Sequence, residues 1–188
     1  MKRIGLAITG SFCTFGEILK SVKVLKTEDY DIIPILSYHA AQLNTKFYNA
    51  TDFTAELEDL CGNEAITTIV TAEPIGTSMN LELVIVAPCT GNTLSKIANG
   101  ITDTPVTMAV KAQLRNSRPV LIAISSNDAL GANAKNLGAL LNTKNVYFVP
   151  FKQDNPQKKT NSLIADLSLL PNAVAGALNG RQPQPLFL

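Results

Sequence analysis

Three clusters of small polar residues interrupt this chain where a hydrophobic run gives way to a turn. Each cluster holds hydroxyls, amides or both, the groups that grip a phosphate or the polar edge of a heterocycle. The first is Thr9-Gly10-Ser11-Phe12-Cys13-Thr14. Gly10 permits a tight backbone, Ser11 offers a hydroxyl, and the free amides that open a helix can hold an anion. The turn is not G-x-G-x-x-G, since the next glycine is Gly16, and it is not a P-loop, since Glu17 and Ile18 follow that glycine. An ordinary strand-to-helix turn also accounts for it. The second cluster is Ser37-Tyr38-His39. Ser37 can reach a phosphate or cap a helix that begins near His39. His39 is the single histidine of the chain, an acid or base by type but with no triad partner in the neighbouring sequence. The third cluster is the most informative, Pro88-Cys89-Thr90-Gly91-Asn92-Thr93, at the end of an apolar run. Thr90, Asn92 and Thr93 set hydrogen-bonding side chains beside free helix amides, and a plain capped helix is the alternative. Cys89 stands where a helix N-terminus lowers a thiol pKa, although a buried structural thiol is the favoured reading.

Such clusters need a frame to bring them together. Ile4–Thr9, Asp31–Leu36, Leu83–Ala87, Val120–Ile124 and Val146–Val149 are short, β-branched runs, the signature of parallel strands buried on both faces. Helical spacing lies between them. Phe15, Ile18, Leu19, Val22 and Leu25 share one face, as do Leu94, Ile97, Ala98 and Ile101. Thr104 and Pro105 predict a capped helix start, and Ala132–Leu141 and Ser162–Leu178 supply two more helices, the second interrupted at Pro171. The alternation predicts a three-layer α/β sandwich with a doubly wound parallel sheet, in which ligands bind at the carboxyl ends of the strands. Residues 1–179 are expected to form one domain. Residues 180–188, with Pro183 and Pro185, are expected to be an extended tail lying on a neighbour.

Composition narrows the function classes. Hydrophobic residues make up 46% of the 188, which excludes disorder, and a net charge of +1 leaves no electrostatic footprint for nucleic acid or an anionic membrane. No apolar run approaches the length of a membrane helix, and no signal peptide follows Met1-Lys2-Arg3. The chain therefore reads as cytoplasmic. Cys13, Cys61 and Cys89 form no CxxC pair, and with one histidine they do not compose a zinc site, so no metal is expected. Only 16% of the residues are charged, which predicts apolar surface covered by further subunits in a homo-oligomer.

The third cluster resembles the Pro-Ala-Ser-Ala-Asn-Thr motif of the homo-oligomeric flavin-containing cysteine decarboxylase superfamily, a flavoprotein group that also holds the flavin prenyltransferases. Pro88, Asn92 and Thr93 match it, and the stretch Ala98–Asp103 matches as well. The likeness runs from Gly5 to about Gln157. Within the superfamily the chain is most similar to the B subunits of dipicolinate synthases of spore-forming bacteria, through Leu60–Ile66, Lys111–Pro119, Ile124–Gly131 and Thr143–Val146. The resemblance implies a Rossmann-like or flavodoxin-like fold. It implies a flavin mononucleotide (FMN) site whose phosphate is held by Gly10, Ser11, Ser37, Thr90, Gly91, Asn92 and Thr93, in pockets completed by neighbouring subunits. It also implies an A-subunit partner, an NAD(P)-dependent dehydrogenase acting on dihydrodipicolinate, and a role during sporulation.

Two departures from the superfamily shape the expected chemistry. Its decarboxylases use a histidine upstream of the motif and a Pro-x-Met-Asn clamp downstream. Here no histidine follows His39, and the clamp position reads Ile124-Ser125-Ser126-Asn127, where only Asn127 matches. The prenyltransferases carry an arginine near the position of Ser125. Oxidation of dihydrodipicolinate to dipicolinate, with FMN as hydride acceptor, is accordingly the expected function. Asn127 is the candidate contact to substrate or flavin edge. Lys111, Arg115 and Arg118 are available cations for a small dicarboxylate, with solvation on a helix face as their alternative. The other readings are a non-catalytic stabilising partner of the dehydrogenase subunit, and a flavin prenyltransferase or decarboxylase.

Overall fold

The computed structural model describes residues 1–188. Its parallel strands are β1 (Lys2–Ile8), β2 (Tyr30–Leu36), β3 (Leu83–Cys89), β4 (Val120–Ser126) and the short β5 (Val146–Phe148). They lie in the order β2-β1-β3-β4-β5. Every residue of β3 is buried, which is why its sequence is apolar without alternation. The strand order changes direction between β1 and β3. Because β-α-β crossovers are right-handed, that reversal sends the helices on its two sides to opposite faces of the sheet.

Helix α1 (Phe15–Thr27) follows β1 and buries Ile18, Leu19, Val22 and Leu25. Between β2 and β3 run α2 (Tyr38–Gln42), α3 (Ala50–Cys61) and α4 (Ile69–Ala72). Asn49 caps the start of α3, and Gly62 ends it with a φ of 71°, a conformation that favours glycine. Helices α5 (Gly91–Ala98) and α6 (Pro105–Arg115) lead from β3 to β4, and α7 (Ala134–Leu141) leads on to β5. Thr104 and Thr107 cap α6 reciprocally, with Pro105 in its first turn, as the sequence predicts. No helix is long and apolar enough to cross a membrane.

Beyond β5 the structure departs from expectation. The sheet is mixed, because β6 (Phe151–Asn155) and β7 (Lys159–Ala165) form an antiparallel hairpin, and β7 pairs with the last residues of β4. The helix expected over Ser162–Leu178 is therefore two elements, β7 and α8 (Leu170–Leu178). Leu163 and Ala165 reach the core from an extended backbone, and Pro171 opens α8 instead of breaking it, since a first-turn residue needs no intrahelical N–H bond. The tail also differs. It turns back on its own chain, where the Phe187 ring packs edge-on against Phe151 and the Leu188 amide donates to the Phe151 carbonyl at 3.0 Å. Gln182 reaches the outer edge of β5, accepting from the Phe148 amide at 2.8 Å and donating to its carbonyl at 2.7 Å.

Candidate functional site

The reversal of strand order between β1 and β3 opens a cleft at the carboxyl ends of the strands, and one threonine sets its geometry. Thr9 donates from Oγ1 to the Pro88 carbonyl at 2.7 Å and accepts from the Thr90 amide at 3.0 Å. The turns after β1 and β3 are thereby fixed to each other. Pro88 has no amide to give the ladder, and the pairing of β3 with β4 slips between Val86 and Cys89, which turns Thr90 into the cleft. Ser11 joins the β1 turn to the end of β4 through a 2.7 Å hydrogen bond between its hydroxyl and that of Ser125.

Two adjoining hollows share Gly10, Thr90 and Asn92. The larger, about 540 Å³, extends along Ser11, Ser125, Asn127 and Asp128 to Lys159 and Ser162 of the hairpin. The smaller, about 460 Å³, is bounded by Ser37, His39, Thr93, Lys96 and Asp103. Both fall within the roughly 300–1,000 Å³ usual for small-molecule sites. All of the residues singled out from sequence, Gly10, Ser11, Ser37, Thr90, Gly91, Asn92, Thr93 and Asn127, border one hollow or the other. Several also hold structure. The Ser37 hydroxyl accepts from the Ala40 amide at 3.3 Å to cap α2, and Thr90 accepts from the Thr93 amide at 3.3 Å to cap α5. The amides of Gly91 and Asn92 lie in the first turn of α5, where no intrahelical acceptor exists.

Gly91 differs from its neighbours in what it faces. A Cβ there would lie 2.5 Å from Asp128 Oδ1, 2.5 Å from Ser126 Oγ and 2.8 Å from Asn133 Nδ2. Its missing side chain makes room for a polar cluster of the protein itself. Asp128 accepts from Ser126 Oγ at 2.5 Å and from Asn133 Nδ2 at 2.8 Å, and Asn136 donates to Asn133 at 2.8 Å. The cluster locks the loop after β4 against the start of α5. Asn127, between two anchored residues, is exposed and makes no side-chain hydrogen bond within the chain.

Each hollow carries one ammonium and a rim carboxylate that pairs with it. Lys96 donates to both oxygens of Asp103, at 2.9 and 2.8 Å, and this hydrogen bond holds the Asp103 pKa below its ordinary value. Lys159 donates to Asp154 across the hairpin, which raises the lysine pKa. The cations considered from sequence are elsewhere. Arg115 donates to the Gly76 carbonyl, and Arg118 to Leu81 and Asn80, all at the amino ends of the strands. Lys111 lines a surface hollow with Gly76 and Arg115 at that same end. None of the three lines either hollow of the cleft. Cys89 is wholly buried, and burial pushes its thiol pKa up, so it is a structural thiol.

Sequence reasoning does not single out Asp128, Asp154, Lys159 or Ser162. The last three are missed with the hairpin that carries them, although the turn-forming run Asp154-Asn155-Pro156 is a signal for it. The donor set around Gly10, Ser37 and Thr90–Thr93, hydroxyls and open amides with Lys96 beside them, suits a phosphate. Leu163 and Ile164 are the aliphatic residues in the larger hollow's lining.

A family model described as flavoprotein matches residues 1–167. The chain is 45% identical over 187 residues to the B subunit of dipicolinate synthase from Bacillus subtilis (strain 168), covering 100% of this chain and 94% of that one. The crystal structure of the dipicolinate synthase B subunit from Bacillus halodurans C superimposes with a TM-score of 0.92 at 41% identity, over 100% of this chain and 96% of that one. The FMN-dependent cysteine decarboxylase SpaF shares the fold, with a TM-score of 0.69 at 19% identity over 95% and 96% of the two chains.

Proposed function

This chain belongs to the flavoprotein family and is a homologue of the dipicolinate synthase B subunit, and from that premise we propose that it supports the oxidation of dihydrodipicolinate to dipicolinate as an FMN-binding protein. Its partner in this reading is the A subunit, an NAD(P)-dependent dehydrogenase, in the mother-cell cytoplasm of a sporulating bacterium. The observation that carries the proposal is the convergence of Gly10, Ser11, Ser37, Thr90, Asn92 and Thr93 at the reversal of strand order, where open parallel sheets bind their ligands.

Aromatising a dihydropyridine removes a hydride and a proton: FMN, when bound, would accept the hydride and be reoxidised by the NAD(P)+ of the partner subunit, while the proton leaves to water. The chain's own residues do the rest. Ser37, Thr90 and Thr93 hold the phosphate end, with Lys96 as counter-charge. Leu163 and Ile164 would supply the apolar contact to the ring that the hollow offers. Asn127, with an amide free of internal partners, orients the substrate or the flavin edge. The rest of the hollow's lining is mostly polar, and a second copy of the chain would supply the further apolar cover that a flavin ring needs. Light scattering at low micromolar concentration is expected to give a mass several times that of one chain.

The purified protein is expected to be yellow or to quench FMN fluorescence at micromolar concentration. Reconstituted with the dehydrogenase subunit, Asn127→Ala should lower turnover while melting temperature and complex formation stay at the parent values. Unchanged turnover in an intact complex would reject the assignment of Asn127. A second reading rests on a different observation: the polar groups of the cleft already satisfy one another, Ser11 with Ser125, Lys96 with Asp103 and Lys159 with Asp154. A colourless protein that ignores millimolar flavin yet stabilises the dehydrogenase would favour a non-catalytic partner.

A further inference from the structure

The larger hollow has two carboxylates and one cation on its walls, and they are not equivalent. Asp128 is committed, because Ser126 and Asn133 both donate to it and it packs into the space left by Gly91. Asp154 and Lys159 are not. Their side chains are 32% and 58% exposed, they belong to the hairpin, and their only side-chain partners are each other. Exposed pairs of this kind contribute little and exchange readily for another anion. Lys159 lines this hollow together with Ser11 and Cys13 of the β1 turn. On the floor between them are the Ser11 and Ser125 hydroxyls and the unpartnered Asn127 amide. No other lysine or arginine lines this hollow.

We propose that Lys159 is the residue that recognises a carboxylate of a small planar ligand in the larger hollow, and that Asp154 is an internal competitor which the ligand displaces. Asp154 already demonstrates the geometry, since it presents to Lys159 the same group that the ligand would bring. The asymmetry of the two hollows follows. A dianionic phosphate suits the smaller hollow, where Lys96 faces hydroxyls and open amides. A carboxylate suits the larger one, where Lys159 already pairs with the carboxylate of Asp154. This inference rests on the proposed function and adds to it the residue that reads the substrate's charge.

The test is calorimetric titration of the full chain with pyridine-2,6-dicarboxylate at low salt, with FMN quenching measured separately on the same preparations. Lys159→Gln should weaken dicarboxylate binding about two- to fivefold at low salt, the scale of a lost exposed ion pair, and Lys159→Arg should retain most of it. Asp154→Asn should tighten binding about two- to tenfold, because it removes the competitor. Lys111→Gln, at the other end of the sheet, should bind as the parent does. Parental affinity in Lys159→Gln, weakened binding in Asp154→Asn, or no saturable binding by the parent at millimolar ligand would each overturn the proposal. The two readings separate cleanly. If flavin binds and the dicarboxylate is indifferent to Lys159, this inference falls and the flavin reading stands. If the dicarboxylate binds through Lys159 in a protein that ignores flavin, the reverse holds.

Discussion

A methyl group on Gly91 has nowhere to go. The position of its Cβ is enclosed by Asp128, Ser126 and Asn133, three side chains held by hydrogen bonds to one another. Gly91→Ala must push that cluster apart, and the strain of overpacking is about 1–3 kcal/mol. Its urea midpoint should fall accordingly, with ligand affinity falling alongside because the loop that presents Asn127 moves. A sequence shows that a glycine opens this helix, but not which neighbour comes close. Reading Gly91 as a phosphate contact therefore misses the polar cluster behind it, whose members come from a different part of the chain. The cysteines give a second test at this scale. Cys13 is exposed at the cleft, whereas burial pushes the Cys61 thiol up to about 12 and the Cys89 thiol higher still. A thiol reagent applied to the native protein near neutral pH should modify Cys13 alone, and all three once the chain is unfolded.

Helix α5 depends on the residue that caps its start. Thr90 accepts from the Thr93 amide, and Thr90→Ala should cost about 0.5–2 kcal/mol, as loss of an N-cap does. Thr90→Ser keeps the hydroxyl and should recover most of that loss in thermal melts. This helix and the parallel strands are legible in the sequence for a common reason: fully buried strands read as unbroken apolar runs, and helices between them show their own period. The hairpin is not legible, and its burial explains why. Along β7 only Ser162, Leu163 and Ala165 are buried, with Ile164 between them half-buried, so the two-residue alternation of a strand never appears. Leu163, Leu167 and Leu170 then imitate a helical stripe. Helices α2 and α4 are equally opaque, because they have only five and four residues, too few to show a period, whereas the longer α3 between them does carry one in Ala50, Phe53, Leu57 and Cys61.

At the scale of the whole molecule, one carboxylate joins parts of the chain that are distant in sequence. Asp31 opposes Arg3 in the register of β2 with β1, accepts from its Nε at 2.6 Å, and accepts from Asn63 beyond the end of α3 at 2.9 Å. Burial pushes its pKa up, but the bonds from Arg3 and Asn63 outweigh burial and hold the pKa below the ordinary value of 3.8. A depressed acid pKa adds stability that is fully present above the unfolded value and is lost as the pH falls through the lower folded one. Asp31→Asn should therefore be less stable than the parent at neutral pH, and the gap should close in acid titrations below about pH 4. The parallel part of the sheet, which Asp31 helps to fasten at one side, ends at β5 on the other, and there the tail has a further consequence. A strand at the margin of a sheet is a template on which another molecule can add its own backbone. The carboxamide of Gln182 answers the amide and carbonyl of Phe148 as a neighbouring peptide group would, occupying the outer bonds of a strand only three residues long. A chain shortened before Gln182 would lose this guard and leave the outer bonds of β5 open to the backbone of another molecule, which light scattering would read as a rise in mass over time.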